Sequence, residues 1–205
     1  MEPAGFLLWQ LATEAHMSST GSRPVAKSDY TQHRRGAIVW VHNKVQPHHT
    51  IPQHQAEWER WVDQVATGTA GMKDAAVIGE VNEIVRSWMA NNKKAPLATN
   101  DIVATRSRIQ HILSEWKASK GRGVGLEAIK GLPTTLANPK AILWDKEDPS
   151  LIYVYEAGDT VRQKFVVRVN FTEKGMGTLN SLRSGGLVDS TTLNLGRYLK
   201  ISGNP

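Results

Sequence analysis

From Gln55 onward the apolar positions of this chain switch between a helical and a strand period. Trp58, Trp61, Val62 and Val65 recur at the spacing of one helix face, and Gly68 and Gly71 end that segment. Ala75–Gly79 is a short strand-like run, and Val81, Ile84, Val85 and Trp88 predict a second helix closed by polar residues 91–94 and Pro96. Ile102 and Val103 lie in another strand-like run. Thr105 then caps a single predicted helix over 106–120, with Ile109, Ile112, Leu113 and Trp116 on its apolar face and Gly121 beyond its end. A short helix is expected over Leu126–Ile129.

After Leu132 the period becomes that of strands. Ala141–Asp145 is a short run that leads to the turn-forming Asp148–Pro149. Leu151–Glu156 and Lys164–Asn170 are rich in β-branched and aromatic residues and flank the turn-prone Ala157–Thr160, which predicts a hairpin. Side chains alternate across a strand, so Phe165, Val167 and Val169 face one way and Lys164, Val166, Arg168 and Asn170 the other. One face suits a core and the other is cationic. A glycine-bearing loop over 172–177 precedes Asn180, Ser181, Arg183 and Ser184, and Arg197–Ser202 reads as a closing strand. The pattern predicts helices followed by a β-hairpin and further strands, behind an extended His-rich N-terminal arm.

The arm is expected over residues 1–55, ahead of a folded domain over 56–205. Its composition is Ser, Thr, Gly, Pro, His and Gln around one apolar island, Ala37–Val41, and it holds all but one of the seven histidines. His42, His48, His49 and His54 invite two readings, a metal site and a solvated linker. Their spacing matches no structural zinc pattern, and the linker reading is taken. No metal or other cofactor is expected.

Charge changes this picture. Lys plus Arg number 25 against 19 for Asp plus Glu, giving a net charge of +6, which permits a polyanionic partner. There is no cysteine, so disulfides and thiolate chemistry are excluded. No apolar run approaches the ~18 residues of a membrane span. Phosphate-binding loops, dinucleotide fingerprints, HExxH and nucleophile elbows are all absent. Asp145, Glu147 and Asp148 form an acidic knot read as a turn organiser rather than a magnesium site.

What remains is a cationic sheet face beside hydroxyl and amide groups. Lys164, Arg168 and Arg183 are candidates to hold phosphate, and Asn170, Asn180, Ser181 and Ser184 to donate to it or to read a base. RNA carries its own nucleophile in the 2′-hydroxyl, so a protein that cleaves it need supply only a base, an acid and charge stabilisation. His111, the only histidine outside the arm, is the candidate base or acid.

The motifs D-I-V-x-T…R-x-x-H at Asp101–His111, L-P-x-x-L-x-x-P at Leu132–Pro139 and A-x-L-W-D-x-x-D-P-x-L-x-Y-V at Ala141–Val154 occur in that order. K-x-V-V-R-V-N at Lys164–Asn170 and N-x-x-R-S-G-G at Asn180–Gly186 follow. In this the chain from Trp58 to Gly203 resembles the C-terminal domain of Mu-like phage head morphogenesis (minor head) proteins, grouped with the barnase–EndoU–colicin–RelE-like nucleases. The resemblance implies an α+β fold, N-terminal helices packed on a small antiparallel β-sheet, with a metal-independent RNase as ancestral activity, and puts His111, Lys164, Arg168, Asn180, Arg183 and Ser184 on motif positions. It implies a virion-associated protein, in the virion or host bacterial cytoplasm, whose arm docks on phage structural proteins. Two alternatives stand beside it: a non-enzymatic minor component of a phage head or tail, and a delivered RNase toxin with a small acidic immunity partner.

Overall fold

The computed structural model describes residues 51–71, 74–194 and 196–205, with side chains from residue 55 onward and not at 194. Residues 1–50 of the expected arm, with the apolar island, lie outside the described residues, and 51–55 belong to the first helix. Helix α1 (Ile51–Ala66) buries the expected stripe, Trp58, Trp61, Val62 and Val65, and the Trp58 indole donates to the carbonyl of Ile129 at 2.8 Å. Strand β1 (Ala75–Glu80) leads to α2 (Glu83–Asn91), capped by the Asn82 side chain, which accepts from the amide of Val85 at 3.0 Å. Its buried positions are Val85 and Met89; Ile84, expected on the apolar stripe, is exposed.

Strand β2 (Asp101–Thr105) runs into α3 (Arg106–Ile112) and α4 (Glu115–Ser119), and α5 (Leu126–Lys130) and α6 (Leu132–Thr135) follow. Strands β3 (Ala141–Asp145), β4 (Ser150–Glu156), β5 (Val161–Glu173) and β6 (Gly177–Asp189), a 3₁₀ turn (Ser190–Asn194) and β7 (Tyr198–Gly203) complete the chain. The β4–β5 hairpin is present, and Arg162 pins its turn by donating to the carbonyls of Gly158, Asp159 and Val161.

The expected α+β arrangement of N-terminal helices on a small antiparallel sheet is overturned. The sheet has seven strands in the order β1-β2-β6-β5-β4-β3-β7, and it is mixed: β2 pairs with β6 in parallel, through Ile102 with Asn180 and Val103 with Ser181. The helices are interleaved, four of them lying between β2 and β3. The stretch from Thr178 to Val188, rich in Ser, Asn and Gly, carries little strand signal of its own. It becomes the central strand β6 because it pairs with β5 along almost its whole length.

Helix residues bury against one sheet face, where Phe165, Val167 and Val169 join Trp58, Val85, Ile109 and Ile129 in one core. The opposite face holds two smaller apolar patches, Leu143, Ile152 and Val154 under Leu193 at one end and Val77, Val103 and Leu179 at the other. Between them run β5 and β6. Among the described residues no helix is long and apolar enough to cross a membrane.

Candidate functional site: a cationic sheet face and the cleft at its edge

The predicted helix over 106–120 breaks at Leu113–Ser114, and the break builds the site. Ser114 has extended backbone at the N-cap position of α4, where its carbonyl, not its hydroxyl, accepts from the amides of Lys117 and Ala118. Restarting the helix there rotates its faces. Trp116, expected in the core, is 62% exposed, and Lys117, expected on the surface, is 7% exposed.

Lys117 reaches the edge of β6 beyond the end of β2. Its ammonium donates to the carbonyl of Gly185 at 2.8 Å and to the Ser184 hydroxyl at 3.2 Å. Two residues on, Leu187 donates its amide to the carbonyl of Arg122 at 3.0 Å. The α4–α5 segment thus caps an edge that would otherwise expose unpaired backbone groups. The glycine pair makes this approach feasible. A Cβ on Gly186 would lie 3.0 Å from the Arg122 carbonyl oxygen, and one on Gly185 2.6 Å from the Phe165 ring.

The result is a cleft of about 400 Å³ lined by Trp116, Lys117, Arg122, Lys164 and Ser184, with Asp189 and Thr192 also in its wall. Among the described residues neither Lys117, Lys164 nor Arg122 makes an ion pair. Burial and then the Lys164 charge push the Lys117 amine below the ordinary lysine range. Lys164 is pushed down likewise, by burial and then by Arg197, with Asp145 working against the shift and Arg122 adding to it.

The like-charge series continues along the face. His111 is lowered by desolvation, then by Lys117 and Arg108. Arg183 is lowered by desolvation, then by Arg108, with Arg168 contributing. At that end, however, the cations have partners. Arg168 pairs with Asp148 at 3.1 Å, and Arg168 and Arg183 both lie over the Phe171 ring, at 5.2 and 4.5 Å. Arg183 also stands 4.0 Å from Glu173, an ion pair too long to be a hydrogen bond.

The eight predicted site residues therefore divide. Lys164 and Ser184 meet in the cleft. Arg168 and Arg183 share Phe171, and His111 is exposed at the end of α3 between the two groups of cations. Ser181 is fully buried, with no partner for its hydroxyl. Asn180 is fully buried and donates to the carbonyls of Thr99 and Asp101, fastening β6 to the start of β2. Asn170 has a left-handed backbone, φ 50°, within an irregularity of the β5–β6 ladder. Its side chain accepts from the amide of Ala98 and donates to the carbonyl of Pro96, both at 2.8 Å. Both asparagines hold loops and have little left to offer a ligand.

Asp145 is engaged as well. It accepts from the amides of Glu147 and Asp148, which organises the turn, and it takes the Arg197 guanidinium in a two-toothed pair. Among the described residues no group of three or more His, Asp or Glu could hold a metal. Sequence reasoning missed Lys117, Arg122 and the outward turn of Trp116. The available signal was Ser114 in the middle of an otherwise helical run. No family model, curated protein or solved structure matches this chain.

Proposed function

We propose that this protein binds nucleic acid, RNA first, by its phosphates, through the cationic face of β5–β6 and the cleft beside α4. One observation carries the reading. Lys117 and Lys164 are desolvated next to each other, and among the described residues neither makes an ion pair, Asp145 offsetting the Lys164 charge only in part; an incoming phosphate relieves the remaining repulsion. A protein that needed these lysines only for solubility would leave them in water.

Cleavage of RNA is the enzymatic form of the same proposal. His111 takes the proton from the 2′-hydroxyl, the 2′-oxygen attacks phosphorus, and a 2′,3′-cyclic phosphate forms as the bond to the 5′-oxygen breaks and that oxygen takes a proton from water. The lysines stabilise the charge that gathers on the phosphoryl oxygens. A lowered His111 pKa supports the role of base, since the imidazole is then neutral at physiological pH. The resemblance to phage minor head proteins supports a virion or host cytoplasmic setting.

A second, non-enzymatic reading has its own support. Arg168, Asn170 and Asn180 are consumed by internal contacts, which suits a structural component that only holds nucleic acid. Incubating the full chain with end-labelled RNA in EDTA decides between them. Cyclic-phosphate products that vanish in His111→Ala and Lys164→Ala establish the enzyme. Retained binding with intact RNA establishes the structural component.

A further inference from the structure

The cleft carries more information than its charge. Of the five tryptophans whose surroundings are described, Trp58, Trp61 and Trp144 are buried and Trp88 is half-buried against Trp144, while Trp116 is 62% exposed and lines the cleft that holds Lys117, Lys164 and Ser184. The break before Ser114 puts an aromatic plate and an ammonium on consecutive residues, one facing out at the mouth and one facing in at the floor.

Donor counting at the floor leaves room for a ligand. An ammonium has three N–H donors, and Lys117 uses two, on Gly185 and Ser184. The Ser184 oxygen accepts from Lys117, so its own O–H is free to donate. Lys164 adds a second ammonium with no hydrogen-bond partner among the described residues. A volume of about 400 Å³ sits toward the small end of ligand sites. It accommodates one nucleotide and is too small for a duplex.

We propose that the cleft between α4 and β6 seats a single unpaired nucleotide, its base stacked on Trp116 and its phosphate held by Lys117, Lys164 and the Ser184 hydroxyl. This rests on the nucleic-acid reading above and narrows it to single strands. An exposed indole offers a face that any base can stack on, and only an unpaired base can reach it. A site that recognised phosphate alone would have no use for a tryptophan at its mouth.

The test is competition binding to the full chain by three probes: a single-stranded oligouridylate, a duplex RNA of equal charge, and inorganic polyphosphate. The wild type is expected to bind the single strand tightest. Trp116→Ala, a change at an exposed position, is expected to lose roughly 5- to 100-fold in affinity for the single strand, bringing it toward polyphosphate. Trp116→Phe keeps most of the affinity, and Ile84→Ala, an exposed apolar residue on α2, changes nothing. If the wild type binds RNA and polyphosphate equally, or Trp116→Ala leaves the single-strand preference intact, the nucleotide seat is overturned while the charge-based reading survives. If the wild type binds none of the three, both are overturned.

Discussion

Two regions of one sheet gather cations, and the protein treats them in opposite ways. Around Asp145 and Phe171 each is met: Arg197 by Asp145 and Glu147, Arg168 by Asp148, and Arg183 by the Phe171 ring. Around Ser184 no cation has a carboxylate in an ion pair among the described residues: Lys117 is desolvated and donates only to the Gly185 carbonyl and the Ser184 hydroxyl, and Asp145 offsets Lys164 only in part. Paired charges at turns stabilise the fold. Unpaired, desolvated charges in a cleft cost stability, and such a cost persists where function uses the site. The contrast explains why four of the predicted site residues, Arg168, Arg183, Asn170 and Asn180, act within the fold while Lys164 and Ser184 remain open to a ligand.

The sharpest way to break this comparison is Asp145→Ala. Removing the acceptor of a largely buried pair leaves Arg197 and two turn amides unmatched, and a loss of about 2–3 kcal/mol in urea unfolding is expected, below the full cost of a buried pair because Arg197 is half exposed. A loss under about 0.5 kcal/mol would deny that this end is structural.

The two ends should also answer pH in different windows, both gaining stability as pH rises, one in acid and one in alkali. Burial alone would raise the Asp145 carboxyl, but Arg197 and the amides of Glu147 and Asp148 together hold it below its ordinary value. Its contribution is full above the unfolded carboxylate pKa of about 3.9 and is lost as pH falls through the lower folded value. Lys117 and Lys164 have folded values below the unfolded ~10.4, so the unfolded chain binds more protons between the two. Stability is expected to rise with pH in that window, and denaturation followed from neutral to alkaline pH checks it.

Lys164→Met sharpens the comparison at the other end. It removes one of two repelling ammoniums, so stability is expected to stay level or rise by up to ~1 kcal/mol while RNA affinity falls. Paired losses of both would make Lys164 a structural cation. The smallest effect is at His111. Its imidazole should titrate below the ordinary 6.5 in NMR, and Lys117→Met should bring it back up by removing one of the charges that lower it.

How much of this was readable beforehand follows from what each signal depends on. The stripe of Trp58, Trp61, Val62 and Val65 and the alternation of Phe165, Val167 and Val169 are set by local periodicity, and both are present. Strand β6 was invisible because its residues owe their extended state to β5, fifteen or more positions away for most pairs in the ladder. The parallel β2–β6 contact, and with it the mixed sheet, depends on that strand. Trp116 and Lys117 were misassigned for a related reason. One interrupted hydrogen-bond series at Ser114 changes which side chain faces inward, and a period read across it reverses the two. Alternation did place Lys164 and Arg168 on one face, but whether a neighbouring acid neutralises each is a tertiary fact.

The central claim, that the unpaired cations at the α4 cleft hold phosphate, is tested most directly by the salt dependence of single-stranded RNA binding to the full chain and to Lys164→Met. Each phosphate contact contributes about −0.7 to the slope of log affinity against log salt. A slope shallower by about 0.7 in the variant, with its fold intact by circular dichroism, is the predicted result. Identical slopes would mean that Lys164 touches no phosphate, and would contradict the account.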